Sequence, residues 1–85
     1  MSDNQVLLDN LDKLHTTEMG VARIKRNLGI EADDVVAWCR DKIINTDETI
    51  RKGKNWYVTV KNTVITINAH SYTIITAHKR EGKHE

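Results

Sequence analysis

The sequence predicts an α+β domain in which three N-terminal helices pack on one face of a small antiparallel sheet of three to four strands. Up to about residue 45, apolar residues recur at helical spacing. From residue 49 onward, Thr, Val, Ile and Tyr alternate with the period of a half-buried strand. A chain of 85 residues has the size of one small domain. We therefore expect a single domain over 1–85, with a helical part at about 3–45 and a sheet part at about 49–79.

Each predicted helix combines an apolar stripe with capping signals. The first helix spans about 6–14, the second precedes Gly29, and the third spans about 32–45. Gly29 suits the left-handed position that follows a helix. The apolar stripes are Val6, Leu7, Leu8, Leu11 and Leu14; Val21, Ile24 and Leu28; and Val35, Trp38, Cys39 and Ile43. The candidate N-caps are Asp3 or Asn4 for the first helix and Thr16 or Thr17 for the second.

Four later segments have the composition of strands and predict a short strand followed by a three-stranded meander. These segments are 49–52, 56–61, 63–69 and 72–79. Turns are expected between them at Gly53–Asn55, Asn62–Thr63 and His70–Ser71.

The register of the middle hairpin decides which side chains are buried. A two-residue loop at Asn62–Thr63 pairs Val60 with Ile65, Val58 with Ile67, and Trp56 with Ala69 on one face. That face predicts a core in which Trp56, Val58, Val60, Ile65 and Ile67 pack against Leu11, Ile24, Leu28, Val35, Trp38 and Ile43. The opposite face then carries Tyr57, Thr59, Lys61, Thr66 and Asn68.

Two registers are open for the last strand. With a two-residue loop at His70–Ser71, the side chains that face the core are those of Tyr72, Ile74, Thr76 and His78. A three-residue loop, 69–71, turns inward Thr73, Ile75 and Ala77, and leaves Thr76 and His78 on the open face. Two-residue loops are more common, but the longer loop avoids burying His78, and we favour it slightly.

The composition excludes several classes of protein. Hydrophobic residues make up 39% of the chain and charged residues 29%, which is typical of globular proteins. No apolar run approaches the about 18 residues of a transmembrane helix, so no membrane partner is expected. The polar first five residues predict no secretory signal. The single cysteine, Cys39, has no disulfide partner, which favours a reducing, cytoplasmic location.

The net charge of +1 is unevenly distributed. Residues 1–45 contain eight acids and six bases, for a net charge of −2, and residues 46–85 contain four acids and seven bases, for +3. A basic C-terminal half points weakly to a polyanionic partner. Ordinary surface solubility explains the same distribution equally well.

Several kinds of site lack their sequence signature. The four histidines form no metal-binding pattern and Cys39 has no Cys-x-x-Cys partner, so no metal site is expected. Cys39 lies on an apolar stripe, which favours a buried hydrophobe over a nucleophile. Gly53 stands alone in its turn, so no phosphate-binding glycine loop and no cofactor are expected.

Residues 16–30 and the helix after them have the rhythm of a helix-turn-helix, with the hairpin 56–68 as a possible wing. A recognition helix needs basic or amide side chains near its start. Here that start carries Glu31, Asp33 and Asp34, whereas the bases Arg23, Lys25 and Arg26 lie on the preceding helix. Two packed helices with a solvated basic face are therefore the favoured interpretation over DNA recognition.

The segment from Arg51 to Tyr57 is a basic turn that continues into two aromatic residues. Basic groups hold phosphates and aromatic faces stack bases, and single-stranded RNA is recognised by both together. Trp56 is expected in the core, whereas Tyr57 can either stack a base or pack at the sheet. The candidate nucleic-acid-binding residues are Arg51, Lys54, Tyr57 and Lys79.

The last predicted hairpin carries groups suited to metal-independent RNA cleavage. That reaction needs a base, an acid and a cation, and histidine suits the first two roles while Lys or Arg suits the third. A set on one sheet face could consist of His70, His78, Lys79 and Arg51. The alternative is a loop histidine and a strand-end histidine that share no site.

Four segments resemble a family of small bacterial proteins known only as a domain of unknown function. They are Arg23–Leu28, Val36–Arg40, Gly53–Val58 and Ser71–Lys79, within a resemblance that covers most of 15–80. More distantly, helices followed by a sheet that ends in Thr-x-x-Thr-x-His are similar to the fold of barnase-like, colicin-like and RelE-like ribonucleases. That likeness implies a metal-independent activity with Thr76 and His78 among the site residues.

Two functional hypotheses follow. The leading one is a small RNA-directed protein, for which a metal-independent ribonuclease or toxin-like domain is one form; in that form His78, His70 and Thr76 are the catalytic residues, but the sequence does not determine whether the protein is catalytic at all. The alternative is a non-catalytic binding module, either a winged-helix-like DNA binder or a phage or host protein-interaction factor. The sequence does not determine the substrate, the partner or the oligomeric state.

Overall fold

The chain has three α-helices followed by a four-stranded antiparallel sheet, in a computed structural model that describes residues 3–80. The helices are α1 (Asp3–Asp9), α2 (Glu18–Leu28) and α3 (Val35–Ile44). The strands, adjacent in chain order, are β1 (Glu48–Lys52), β2 (Asn55–Val60), β3 (Thr63–Asn68) and β4 (Ile74–Lys79). The predicted α+β class is confirmed. Among the described residues, no helix has the length and apolar character needed to cross a bilayer.

The first helix is shorter than its apolar spacing predicts. Asn10 leaves helical geometry with a φ of −123°, and its side-chain amide donates to the carbonyl of Val6 at 2.8 Å. Asparagine competes for backbone groups in this way and so disfavours a helix interior. A 3-10 turn, Leu11–Lys13, follows. Asp3 and Asn4 are the expected N-caps of the first helix, and their side chains lie outside the described part of the chain.

The other two helices begin at side-chain caps. The Thr17 hydroxyl accepts from the Gly20 amide at 3.0 Å, and α2 ends at Gly29 with a left-handed φ of 66°, as predicted. The Asp34 carboxylate accepts from the Ala37 amide at 3.0 Å, so α3 begins at Val35 rather than near Ala32. Asp34 is thus the cap of the third helix and not part of its first turn.

Side chains from all three helices and from one sheet face form a single buried cluster. The predicted inward positions of β2 and β3 are confirmed, and Leu11 and Trp38 are half-buried against them. The buried hydrophobic residues are Leu7, Leu14, Ile24, Leu28, Val35, Cys39, Ile43, Trp56, Val58, Val60, Ile65, Ile67, Ile74 and Ala77. Thr66, on the opposite face of β3, is buried as well.

The middle hairpin turns one residue earlier than predicted. Val60 pairs with Thr63, so the loop is Lys61–Asn62, and Trp56 lies opposite Ile67 rather than Ala69. The pairing is displaced by two residues, and because side chains alternate with a period of two, the faces are unchanged. Lys61 takes a left-handed φ of 54°, a conformation that glycine adopts most easily.

A β-bulge combines the two registers considered for the last strand. Ala77 turns inward, as the favoured register predicts, and lies opposite Ile65. Ile74 also turns inward, as in the alternative register, and lies opposite Ile67, so that Ile75 between them has no partner on β3. Thr76 and His78 therefore face away from the core, as expected. The expected burial of Thr73 and Ile75 is wrong, because the extra residue reverses the alternation before Thr76.

The outer edge of β4 is covered by the chain that leads into α2 and by α2 itself. His15 forms a parallel bridge with Thr73, and the Ile74 amide donates to the His15 carbonyl at 2.8 Å. The Thr16 hydroxyl donates to the Ile74 carbonyl at 2.8 Å. Asn27 donates to the Ala77 carbonyl at 3.3 Å. Side-chain and backbone donors thus occupy the backbone groups that an edge strand normally exposes.

Ile67→Ala should destabilise the protein by roughly 2–5 kcal/mol, because the truncation leaves a cavity between Trp56 and Ile74. Ile50→Ala is the matched control, since Ile50 is 46% exposed on the same sheet and should change stability by less than about 1 kcal/mol. Urea unfolding followed by circular dichroism measures both changes. Equal losses for the two variants would contradict the assigned faces.

Lys61→Gly should stabilise the protein by about 0.5–1 kcal/mol, because glycine relieves the cost of the left-handed backbone. Asn62→Gly should bring no such gain, since Asn62 does not have a positive φ. Thermal and urea unfolding of the two variants measure the difference. A larger gain in stability for Asn62→Gly than for Lys61→Gly would instead support a turn at Asn62–Thr63.

Candidate nucleic-acid interface

Tyr57 lies on the sheet face opposite the core, as the alternation along β2 requires. Its hydroxyl accepts from the side-chain amide of Asn55 at 3.4 Å. Tyr57, Lys52 and Ile50 line a shallow hollow on this face. Tyr57 is half-buried, so part of its side chain remains accessible to solvent.

A second hollow lies at the end of the sheet, between the β1–β2 turn and the loop that joins β3 to β4. It has a volume of about 460 Å³ and is lined by Arg51, Gly53, Lys54, Asn68, His70 and Ser71. The Ala69 amide donates to the Lys54 carbonyl at 2.8 Å and holds the two walls together. We call this cavity the sheet-end hollow. It brings together three predicted site residues: Arg51, Lys54 and His70.

Arg51 lies opposite Trp56 and therefore on the core side of the sheet. Its Nε donates to the Gly53 carbonyl at 3.1 Å, and its guanidinium carbon is 5.7 Å from the centroid of the Trp56 ring. This stacking on a buried ring holds the guanidinium plane in place.

The β3–β4 loop, 69–72, is shaped by Asn68. Its side-chain oxygen accepts from the amides of His70 and Ser71, both at 2.9 Å. Tyr72 closes the loop with a φ of 61°, which is unusual for a bulky residue. Its ring lies 5.4 Å from that of Trp56, and this contact holds Tyr72 in the strained conformation.

A chain of polar contacts joins this loop to the helical half of the protein. The Ser71 and Thr73 hydroxyls are 2.7 Å apart, and the Thr73 hydroxyl is 3.0 Å from His15 Nε2. His15 Nδ1 lies 3.0 Å from the Lys13 carbonyl, which can only accept, so Nδ1 carries a proton. In the neutral ring, Nε2 then accepts from Thr73. Sequence reasoning missed His15, because no local pattern connects it to a loop more than 50 residues away.

The structure does not assemble the catalytic set that the sequence suggested. His78 lies opposite Val64 near the far end of β4, whereas His70 lies in the loop before that strand. About 16 Å of strand separates Thr73 from His78, at about 3.3 Å per residue. Arg51 lies on the other face, on the far edge strand. The expectation that these groups share one face is wrong, because Arg51 follows the pleat of Trp56 and His70 belongs to a loop.

The remaining predicted residues lie near His78 on β4. The Thr76 hydroxyl is half-buried and accepts from the Asn27 amide at 3.3 Å. Lys79 pairs with Thr63 and alternates to the face opposite His78. His78 is exposed, and its Nδ1 lies 3.1 Å from the Lys79 carbonyl. Thr76 and His78 are therefore neighbours on the open face, without Lys79 beside them.

The corner between α2 and α3 carries mixed charge. A hollow at this corner is lined by Lys25, Ile30, Glu31, Ala32 and Asp33. The two carboxylates stand where a recognition helix would meet phosphates, and they would repel them. The geometry of the helix pair therefore does not support DNA recognition at this corner.

Cys39 is fully buried in α3, and desolvation raises the pKa of its thiol from 9.0 to about 12. The native protein should therefore not react with a thiol reagent at pH 8 until it is unfolded. Between pH 9 and 12 the unfolded chain loses this proton first, so the free energy of unfolding should fall as pH rises.

Cys39→Ala should remove that part of the pH dependence, which separates it from the titration of lysines and tyrosines. Ellman's reagent and urea unfolding between pH 8 and 11 measure both effects. Rapid labelling of the native thiol would contradict the burial of Cys39.

Comparison with known proteins places the chain in a family without assigning an activity. Searches of curated proteins and of solved structures found no match, so the likeness to the ribonuclease fold stays a prediction. A family described as "Protein of unknown function (DUF3781)" matches residues 8–78, which include the second and third helices and nearly the whole sheet. The chain therefore belongs to this DUF3781 family.

Proposed function

We propose that this protein is a non-catalytic module that binds single-stranded RNA on the sheet and at the sheet-end hollow. The observation that carries the proposal is the charge of the sheet. Between Thr49 and Arg80 the chain has no acidic residue and six basic residues. These are Arg51, Lys52, Lys54, Lys61, Lys79 and Arg80. Such an excess attracts a phosphate backbone. The nearest acidic residues precede this stretch: Asp47, whose carboxylate accepts from the Lys61 amide, and Glu48, which begins β1 opposite Thr59.

In this proposal the three helices occupy one face of the sheet and the other face meets the RNA. Tyr57 offers an aromatic surface for stacking a base, and Lys52 lies beside it. Thr59 and Thr76 supply half-buried hydroxyls on the same face for hydrogen bonds to base edges, whereas Thr66 between them is buried. The sheet-end hollow, with Arg51 and Lys54, holds a phosphate at the end of this surface.

Binding is favoured over cleavage because the two histidines are far apart. A single phosphate cannot bridge His70 and His78 within hydrogen-bond reach, because His70 lies in the loop before β4 and about 16 Å of strand separates Thr73 from His78. RNA is favoured over duplex DNA because the carboxylates at the α2–α3 corner oppose a recognition helix. A small sheet with one accessible aromatic suits unpaired bases, which can be splayed onto it.

Fluorescence anisotropy with a labelled single-stranded RNA, measured over a range of salt concentrations, tests the proposal. Replacing Arg51 and Lys54 together by Gln should weaken binding and reduce the salt slope by about 1.4, since each phosphate contact on a single strand contributes about 0.7. Tyr57→Leu should weaken binding by about 1–3 kcal/mol and leave the slope unchanged, because stacking does not depend on counterions.

The matched control replaces Arg23 and Arg26 by Gln, which removes the same charge from the exposed side of α2. This control should bind RNA like the wild type. If it alone loses binding, the helix pair is the interface. If no variant binds RNA in a salt-dependent way, including the wild type, the protein-interaction alternative replaces the proposal. RNA cleavage that survives a metal chelator and is lost in His78→Ala would instead establish a nuclease.

A further inference from the structure

We propose that the sheet-end hollow binds a terminal phosphomonoester of RNA, and that His15 is the positioning residue for its β3–β4 wall. This inference rests on the proposed function and names the chemical group that the hollow takes. Nothing in the DUF3781 family description assigns such a site.

The first argument is the charge of the hollow. Its lining includes two basic side chains, Arg51 and Lys54, and the imidazole nitrogens of His70, and it contains no carboxylate. A phosphodiester carries one negative charge, whereas a phosphomonoester carries about −1.5 to −2 at pH 7. Because the attraction grows with the charge of the ligand, the two basic side chains select the terminal group over an internal one.

The second argument is the position of the hollow. It lies where β1–β2 and β3–β4 turn at one end of the sheet, so a strand that runs along the open face reaches it at its terminus. The volume of about 460 Å³ is in the range of small-molecule sites and can hold a phosphate with part of its nucleotide.

The third argument is preorganisation of the donors. Arg51 uses Nε for the Gly53 carbonyl, and its guanidinium carbon lies 5.7 Å from the Trp56 centroid, so the two terminal nitrogens are left to bind two oxygens of one phosphate. Lys54 and the loop that carries His70 are tied by the bond between the Ala69 amide and the Lys54 carbonyl. Little side-chain freedom of Arg51 is therefore lost on binding.

His15 completes the wall from a distant part of the chain. Its ring is held by the Lys13 carbonyl and contacts the Thr73 hydroxyl, which in turn contacts Ser71, next to His70. Asn68 fixes the same loop from the other side through the amides of His70 and Ser71. Loss of the His15 contact frees one side of the loop and moves His70 relative to Arg51.

Three RNAs of one sequence, with a 5′-phosphate, a 3′-phosphate or hydroxyls at both ends, test the inference by anisotropy. At least one terminal phosphate should tighten binding by about tenfold or more. Arg51→Gln should abolish this preference. Lys52→Gln is the matched control, because Lys52 belongs to the other hollow and should retain the preference while weakening all three RNAs equally.

His15→Ala should reduce the preference for the phosphorylated end and leave the affinity for the hydroxyl-ended RNA unchanged. His15→Gln, whose side-chain oxygen can still accept from Thr73, should restore part of it. A loss of affinity for all RNAs in His15→Ala would indicate a merely structural role and overturn the assignment of His15.

Titration of inorganic phosphate, followed by the amide resonances of Ala69, His70 and Ser71, separates the two proposals. RNA binding without terminal preference overturns this inference and leaves the proposed function standing. Phosphate shifts at these amides without any RNA binding overturn the proposed function and leave the hollow as an anion site. If the protein binds no RNA and phosphate shifts none of these resonances, both proposals are overturned.

Discussion

Burial of the Trp56 ring is the constraint on which the arrangement of the sheet depends. Trp56 is 1% exposed, and its indole nitrogen has no hydrogen-bond partner in the described part of the chain. Leaving a buried donor unpaired costs about 1–3 kcal/mol, so the ring must gain more than this from apolar contact with its neighbours. Once Trp56 faces the core, the pleat turns Tyr57 outward and places Arg51 above the indole.

The sequence is sufficient to predict the faces of β2 and β3, but not their pairing and not the face of Ile75 on β4. Apolar and polar residues alternate along β2 and β3, and this pattern can be read from the sequence, so the prediction that Val58 and Ile65 are buried is confirmed. The turn depends on which residue accepts a left-handed backbone, and nothing about Lys61 signals that it does so in place of Asn62. The sequence also does not predict the bulge at Ile75, because each of the two regular registers of β4 already buries apolar residues.

The candidate site was only partly predictable because it depends on contacts between distant segments. The basic turn at Arg51 and Lys54 was visible as a local cluster, and the structure joins it to His70. His15 could not be found, since its contact with Thr73 spans 58 residues and involves no charged pair. His78 was grouped with His70 by proximity in sequence, although the two ends of one strand are far apart in space.

The covered edge of β4 has a consequence for aggregation. Ile74, Ile75 and Thr76 are β-branched residues in the uncharged first part of β4, the type of segment that adds to other strands in fibrils. The donors of Thr16 and Asn27, together with the His15 bridge, block this edge in the native state. Local detachment of the segment from His15 to Asn27 would expose this edge before the sheet itself unfolds. Protection against fibril formation at β4 therefore depends on how firmly this segment is held, and not only on the stability of the strands.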